Sequence, residues 1–206
     1  MKKIILAALS IVLFSCSSDS SVTTNTDVAH FEFKINNTAF VYKQENFTNP
    51  SFINEYNHSY LIGMDPYYRV YSYNSTLYKF NYTTTESIGI EFSNLYESSN
   101  SDDETNNFFT IFNNKPTNFT SNNYPNQTGI SVNYTDINGN YYTSNEGEQD
   151  NSLINYTSTT ESTLNGYKRV VIEGTVNCKL YNILDTSQIL NLTNGKFKLI
   201  FEESNL

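Results

Sequence analysis

"YKRVVIEGTVNCKLYN", residues 167–182, is the stretch that decides the fold. Val170, Ile172, Gly174, Val176, Cys178 and Leu180 fall on every second position, and Arg169, Glu173, Thr175, Asn177 and Lys179 fill the places between. A period of two belongs to a β-strand with one buried face; a helix would repeat at 3.6. Gly174 breaks the apolar row, and a glycine in mid-strand marks a bend or a bulge.

The same reading extends outward along the chain. After the strand comes QILNLTNGKFKLIFEE (188–203), where Asn194-Gly195 predicts a tight hairpin. Leu192 would then oppose Phe197, Leu190 would oppose Leu199, and Asn191 and Lys198 would point outward. At the other end FEFKINNTAFVYKQ (31–44) reads as two strands around Asn36-Asn37, since asparagine tolerates the positive φ of a primed turn. Phe33 then faces Phe40, Phe31 faces Tyr42, and Glu32 and Lys34 point away. Further strands are expected at SYLIGM (59–64), YYRVYSYN (67–74), TLYKFNY (76–82), SIGIEF (87–92), FFTIF (108–112), ISVNYT (130–135) and LINYTS (153–158). Short strands at this spacing imply an all-β, antiparallel β-sandwich, with a β-barrel as the alternative. The polar stretches 97–107 and 113–129 are long loops, either functional or mobile.

Composition agrees. The 17 Tyr and 14 Phe favour strands, Trp is absent, and no long segment carries a helical apolar stripe. The formal net charge is −9. An acidic surface is repelled by phosphate backbones, so nucleic acid is not an expected partner.

The N-terminus supplies an address. Lys2 and Lys3 precede an apolar run, Ile4 to Phe14, interrupted only by Ser10. The run is shorter than the roughly 20 residues of a bilayer span. It suits the apolar part of a secretory signal, about 7–15 residues. Leu13-Phe14-Ser15-Cys16 resembles the lipobox of bacterial lipoproteins. The resemblance implies a diacylglycerol on the Cys16 thiol and cleavage before it, hence lipidation at Cys16 and a membrane anchor. Residues 17–29 are polar and small, a tether whose coil span is about 20 Å. The expected organisation is therefore a signal peptide (1–15), a lipidated cysteine with its tether (16–29) and one β-rich domain (30–206). Loss of residues 1–15 removes two lysines and leaves 10 basic and 21 acidic side chains, a net of −11. Gly174-Thr175-Val176-Asn177-Cys178 followed by TNGKF is similar to the end of envelope lipoproteins of flavobacterial type, from the Bacteroidota. This likeness, over the lipobox and the last seventy or so residues, implies a β-rich domain outside the cytoplasm and brings no activity with it. Surface-exported lipoproteins of the Bacteroidota carry acidic residues just after the cysteine, and Asp19 resembles that pattern, so the resemblance leans toward surface exposure; the expected location is the outer membrane, with its face left open.

Residues that could carry chemistry are sparse. His30 and His58 lack a second histidine or cysteine at metal-ligand spacing, and no G-x-S-x-G elbow occurs. Serine is so abundant that a Ser–His–Asp set could be drawn from the chain at will. Asp102-Asp103-Glu104 reads as a solvated loop tip ahead of a calcium site. Asp136-Ile137-Asn138-Gly139-Asn140 lacks the glycine and terminal glutamate of a calcium loop and reads as a hairpin turn. Cys178 reads as a small buried hydrophobe. The candidate binding surface is Tyr71, Tyr73, Tyr78 and Tyr82, set beside Arg69 and Lys79. Such a row can stack on a glycan or a protein partner, although strand tyrosines more often face the core. No catalytic residue, metal or cofactor is expected. The functional expectation is a non-catalytic binding or structural role; the alternatives are an envelope hydrolase, or a barrel carrying an apolar ligand.

Overall fold

The computed structural model describes residues 28–44, 52–61, 67–81, 84–98, 107–122, 128–164 and 166–203. The chain is nearly all β, and its antiparallel sheet curls strongly into a half-barrel. The strands are β1 (His30–Ile35), β2 (Thr38–Lys43), β3 (Phe52–Leu61), β4 (Tyr67–Asn81), β5 (Thr84–Ser98), β6 (Gly129–Thr135), β7 (Tyr141–Thr143), β8 (Leu153–Leu164), β9 (Tyr167–Asn182) and β10 (Ile189–Glu202). They form one sheet in the order β2-β1-β10-β9-β7-β6-β5-β4-β3, with β8 also on β9. Closing the core by curling one sheet serves the same need as stacking two: each strand has one apolar face to bury.

The first hairpin forms as its sequence dictates. Asn36 and Asn37 take φ of 47° and 71°, the left-handed pair of a two-residue turn. Phe33 pairs with Phe40 and Phe31 with Tyr42. Phe31, Phe33 and Ile35 are buried while Glu32 is exposed.

β9 keeps its alternation. Val170, Ile172, Val176, Cys178 and Leu180 are all buried. A Cβ on Gly174 would lie 2.4 Å from the Asn155 carbonyl oxygen and 2.7 Å from the Phe197 ring. β8 bulges between Tyr156 and Ser158, opposite this glycine. The outer row departs from expectation at Arg169, which is 4% exposed, with its Nε 3.6 Å from a Glu202 carboxylate oxygen.

Three expectations fail for identifiable reasons. Asn194-Gly195 is no hairpin turn: β10 runs through it, pairing with β9 on one side and β1 on the other. Leu192 sits opposite Cys178 and Phe197 opposite Gly174. The left-handed Asn194 (φ 53°) holds a β-bulge, and its N–H donates to Asn177 Oδ1 at 2.7 Å. Ladders on both sides outweigh a local turn. FFTIF is not a strand but lies in a short helix, α1 (Asn107–Asn113). Phe108, Ile111 and Phe112 are buried at helical spacing, and Thr110 is exposed. YYRVYSYN and TLYKFNY are one strand, β4, in unbroken register with β5.

α1 lies inside the curl. Phe112 packs on Phe92 and Phe201 at ring-centroid distances of 5.1 and 4.8 Å, and Phe92 meets Phe201 at 5.2 Å. Nearer β2, Phe33, Phe40, Tyr42 and Tyr134 form a second aromatic group. The sheet forks at β9. Residues 167–177 pair with β8, and Tyr181 and Asn182 pair with β7. The gap at Lys179 is closed by a side chain: Gln149 Oε1 accepts from Lys179 N–H (3.1 Å) while its Nε2 donates to the Lys179 carbonyl (2.8 Å). One amide thus stands in for a strand neighbour.

Candidate functional site

The aromatic groups fill the inside of the curl, so the outer face is where strands β2, β1, β10 and β9 can meet a partner. A trough of about 610 Å³ runs across these four strands. Ala39 and Val41 line it from β2, Glu32 and Lys34 from β1, Asn194 and Lys196 from β10, and Thr175 and Asn177 from β9. Alternation selects them: Phe31, Phe33 and Ile35 go inward, so Glu32 and Lys34 come outward. The depression coincides with the irregular part of the sheet. The β1–β10 register shifts between Glu32 and Lys34, and the β10–β9 register shifts between Leu192 and Gly195. Gly195 lets the strands close up there, since a Cβ would lie 2.5 Å from the Val176 carbonyl.

The lining is mixed in a useful way. Val41, 48% exposed, offers an apolar patch beside Ala39. Glu32 stands opposite Lys196 across the β1–β10 pair. Lys34 and Lys196 can donate, Glu32 can accept, and Thr175 can do either. Asn177 Oδ1 is engaged by Asn194 N–H, which fixes that amide at the trough floor. Two residues along the same strands from Lys196 and Thr175, Lys198 and Glu173 form an ion pair (3.2 Å). These are groups for recognition through hydrogen bonds, one apolar contact and complementary charge.

The candidate residues read from sequence fall elsewhere. Tyr71 and Tyr73 are buried, 1% and 4% exposed, with the Tyr73 ring 4.9 Å from Phe108. Tyr78 is half-buried, and Tyr82 lies outside the described residues. For Tyr71 and Tyr73 the expected surface is corrected, since both belong to the core. In one continuous strand Tyr71 and Tyr73 share a row that Tyr78 cannot join. Cys16 and Asp102–Glu104 lie outside the described residues. His30 opens β1, with Nδ1 3.4 Å from the Val28 carbonyl, and His58 lies in β3 opposite Tyr71. Cys178 is buried as expected, and burial pushes its thiol pKa up. Asp136 Oδ1 accepts from the N–H groups of Asn138 and Asn140, both at 2.9 Å, so the hairpin-turn reading holds. Among the described residues no group of three His, Cys, Asp or Glu could hold a metal ion.

Inside the curl, Tyr42 is 1% exposed, and burial ahead of its neighbours raises its pKa. Burial, then the Glu86 charge, pushes Tyr134 up to about 12. Lys79 Nζ lies 5.1 Å over the Tyr42 ring. The described part of the 113–129 loop is tied down: Thr120 N–H donates to the Ile130 carbonyl (2.8 Å), and Ile130 N–H to that of Asn118 (3.0 Å). The trough was invisible in the sequence as a site. Its one legible sign was the outward placing of Glu32 and Lys34 beside an apolar Val41.

No protein-family model, no curated protein and no solved structure matches this chain.

Proposed function

We propose that the chain is a lipid-anchored envelope protein that binds a partner without catalysis, through the trough on the outer face of β2-β1-β10-β9. The observation that carries this reading is the trough lining: an apolar strip at Ala39 and Val41, flanked by Glu32, Lys34, Lys196, Thr175 and Asn177. Its volume of about 610 Å³ lies in the range of ligand clefts, roughly 300–1,000 Å³. The occupant is a short peptide segment or a glycan, both of which present alternating donors and acceptors. The anchor belongs to the same reading. Leu13-Phe14-Ser15-Cys16 would put the lipid about 14 residues before β1, within coil reach of the domain, and the outer membrane is the proposed location. The apolar-carrier alternative has less support, because the rings of Phe92, Phe112 and Phe201 pack together inside the curl.

Two experiments test the reading. Peptide and oligosaccharide panels are screened by thermal shift against the wild type and against Thr175→Tyr, which fills the trough. A ligand that raises the wild-type Tm and leaves the variant unchanged is expected; equal stabilisation of both sinks the trough as the site. For the anchor, Cys16→Ser is expected to release the protein from the membrane fraction. Unchanged detergent partitioning would remove the lipid from the account.

A further inference from the structure

Four side chains of the trough form one row across its strands. Glu32 pairs with Val41 on one side and with Lys196 on the other, and Lys196 pairs with Thr175. From β2 to β9 the row therefore runs apolar, acid, base, hydroxyl. Neighbouring strands lie about 4.8 Å apart, so the row is about 14 Å long. Lys34 stands on the same face of β1, two places and about 7 Å from Glu32, and pairs with Ala39. Donors outnumber acceptors along this surface. Lys34 and Lys196 each offer an ammonium and Thr175 a hydroxyl. Asn177 offers its amide nitrogen, because its Oδ1 is taken by the Asn194 N–H. Glu32 is the one carboxylate of the described lining. Lys168, Arg169 and Lys198 stand against carboxylates, whereas Lys34 and Lys196 form no ion pair among the described residues. Two ammonium groups against one carboxylate make the trough locally positive on a chain of net charge −9.

We infer, on the reading that the trough is the binding site, that it takes an acidic peptide segment with an apolar side chain close to its carboxylate. The carboxylate goes to Lys34 and Lys196, the apolar side chain to Ala39 and Val41, and backbone carbonyls accept from Thr175 and Asn177. Val41 and Lys196 are two strands apart, about 10 Å. Side chains on one face of an extended peptide repeat at about 7 Å, and the flexible lysine stem spans the difference. Apolar and acidic residues at i and i+2 therefore fit, and about four extended residues cover the row. Glu32 lies between the two contacts. It repels the carboxylate from the middle of the row and so tempers the attraction of the lysines. A glycan is served less well, because no aromatic face is turned toward it. Phe33 is 2% exposed, and Phe40 stacks on it at 5.3 Å inside the curl. The negative charge of the body does not oppose an acidic ligand at contact, since charges farther than about 8 Å are screened at physiological ionic strength.

The test titrates the full chain in detergent by calorimetry. The probes are the blocked peptide acetyl-Val-Gly-Asp-Gly-Asp-amide, its versions with Asn or Lys in place of both aspartates, and trigalacturonate as an acidic glycan. The aspartate peptide is expected to bind about tenfold or more tightly than the asparagine peptide, and the lysine peptide most weakly. Lys34→Gln and Lys196→Gln should each weaken the aspartate peptide by about three- to tenfold and leave the asparagine peptide within about twofold. Glu32→Gln should tighten the aspartate peptide by about threefold, a gain that a damaged fold cannot produce. Thr175→Tyr should abolish binding. Equal binding of the aspartate and asparagine peptides, lost in Thr175→Tyr, overturns the acidic preference and leaves the trough as the site. Aspartate-peptide binding that survives Thr175→Tyr and both lysine variants overturns the trough as well. Weaker binding in Glu32→Gln would mean that this carboxylate holds a ligand cation, and tighter binding of trigalacturonate than of the aspartate peptide would make the partner a glycan; either overturns the inference. So does the absence of binding by every peptide up to about 10 mM.

Discussion

Gly174 shows how one missing carbon sets a local geometry. A methyl there would overlap the Asn155 carbonyl and the Phe197 ring, neither of which is a flexible tip. Gly174→Ala should therefore destabilise by about 1–3 kcal/mol, read as a lower urea midpoint at unchanged slope. Gly139 has open space around it but a φ of +81°, so Gly139→Ala should cost about 1 kcal/mol through backbone strain alone. Tyr134 gives a pH signature. Its pKa rises from 10.0 to about 12 in the folded state, first through burial and then through the Glu86 charge. Between those values the unfolded chain releases the proton and the folded chain keeps it. The contribution is full below pH 10 and is lost as pH rises toward 12. Thermal melts across that window should fall less steeply in Tyr134→Phe than in the wild type, and parallel curves would refute this.

At the scale of elements, α1 and the β10 bulge are the two places where local sequence preference and structure part company. The aromatic-rich FFTIF favours a strand by composition, yet its helix lets Phe108 and Phe112 enter the interior from one side. Phe112→Ala removes a ring that touches Phe92 and Phe201 and should cost about 3–5 kcal/mol, measured by chemical denaturation. A loss below about 1 kcal/mol would mean that α1 is not the interior plug described here. At the bulge Asn194 needs a left-handed backbone. Asn194→Gly should be tolerated within about 1 kcal/mol, and Asn194→Val should cost more, because a branched Cβ resists positive φ. Equal stabilities would argue that the strand straightens.

For the molecule as a whole, cohesion comes from a curled sheet with an aromatic interior. Cys178, the only free cysteine among the described residues, is buried in that interior. Reductant and chelator should each shift the Tm by less than about 2 °C, a change on the order of half a kcal/mol for a domain of this size. A large fall with chelator alone would point to Asp102-Asp103-Glu104, outside the described residues, as a calcium loop.

The period-two pattern of residues 167–182 was enough to determine an antiparallel β protein with Val170, Ile172, Val176, Cys178 and Leu180 inside, because alternation is a property of a single strand. Asn36-Asn37 determined its hairpin in the same way, since a two-residue turn is closed by its own backbone angles. Asn194-Gly195 carries a stronger local turn signal and was overruled, because β9 and β1 offer hydrogen bonds on both sides that one hairpin could not match. The row to which Tyr71, Tyr73 and Tyr78 belong depended on whether β4 broke near Asn74. That is decided by the unbroken pairing of β4 with the next strand, β5, and not by the residues around Asn74 themselves. The trough joins Val41, Glu32, Lys196 and Thr175 from four strands separated by up to 164 residues of chain. No window of sequence contains it, and only the curl and the two register shifts of the sheet bring its walls together.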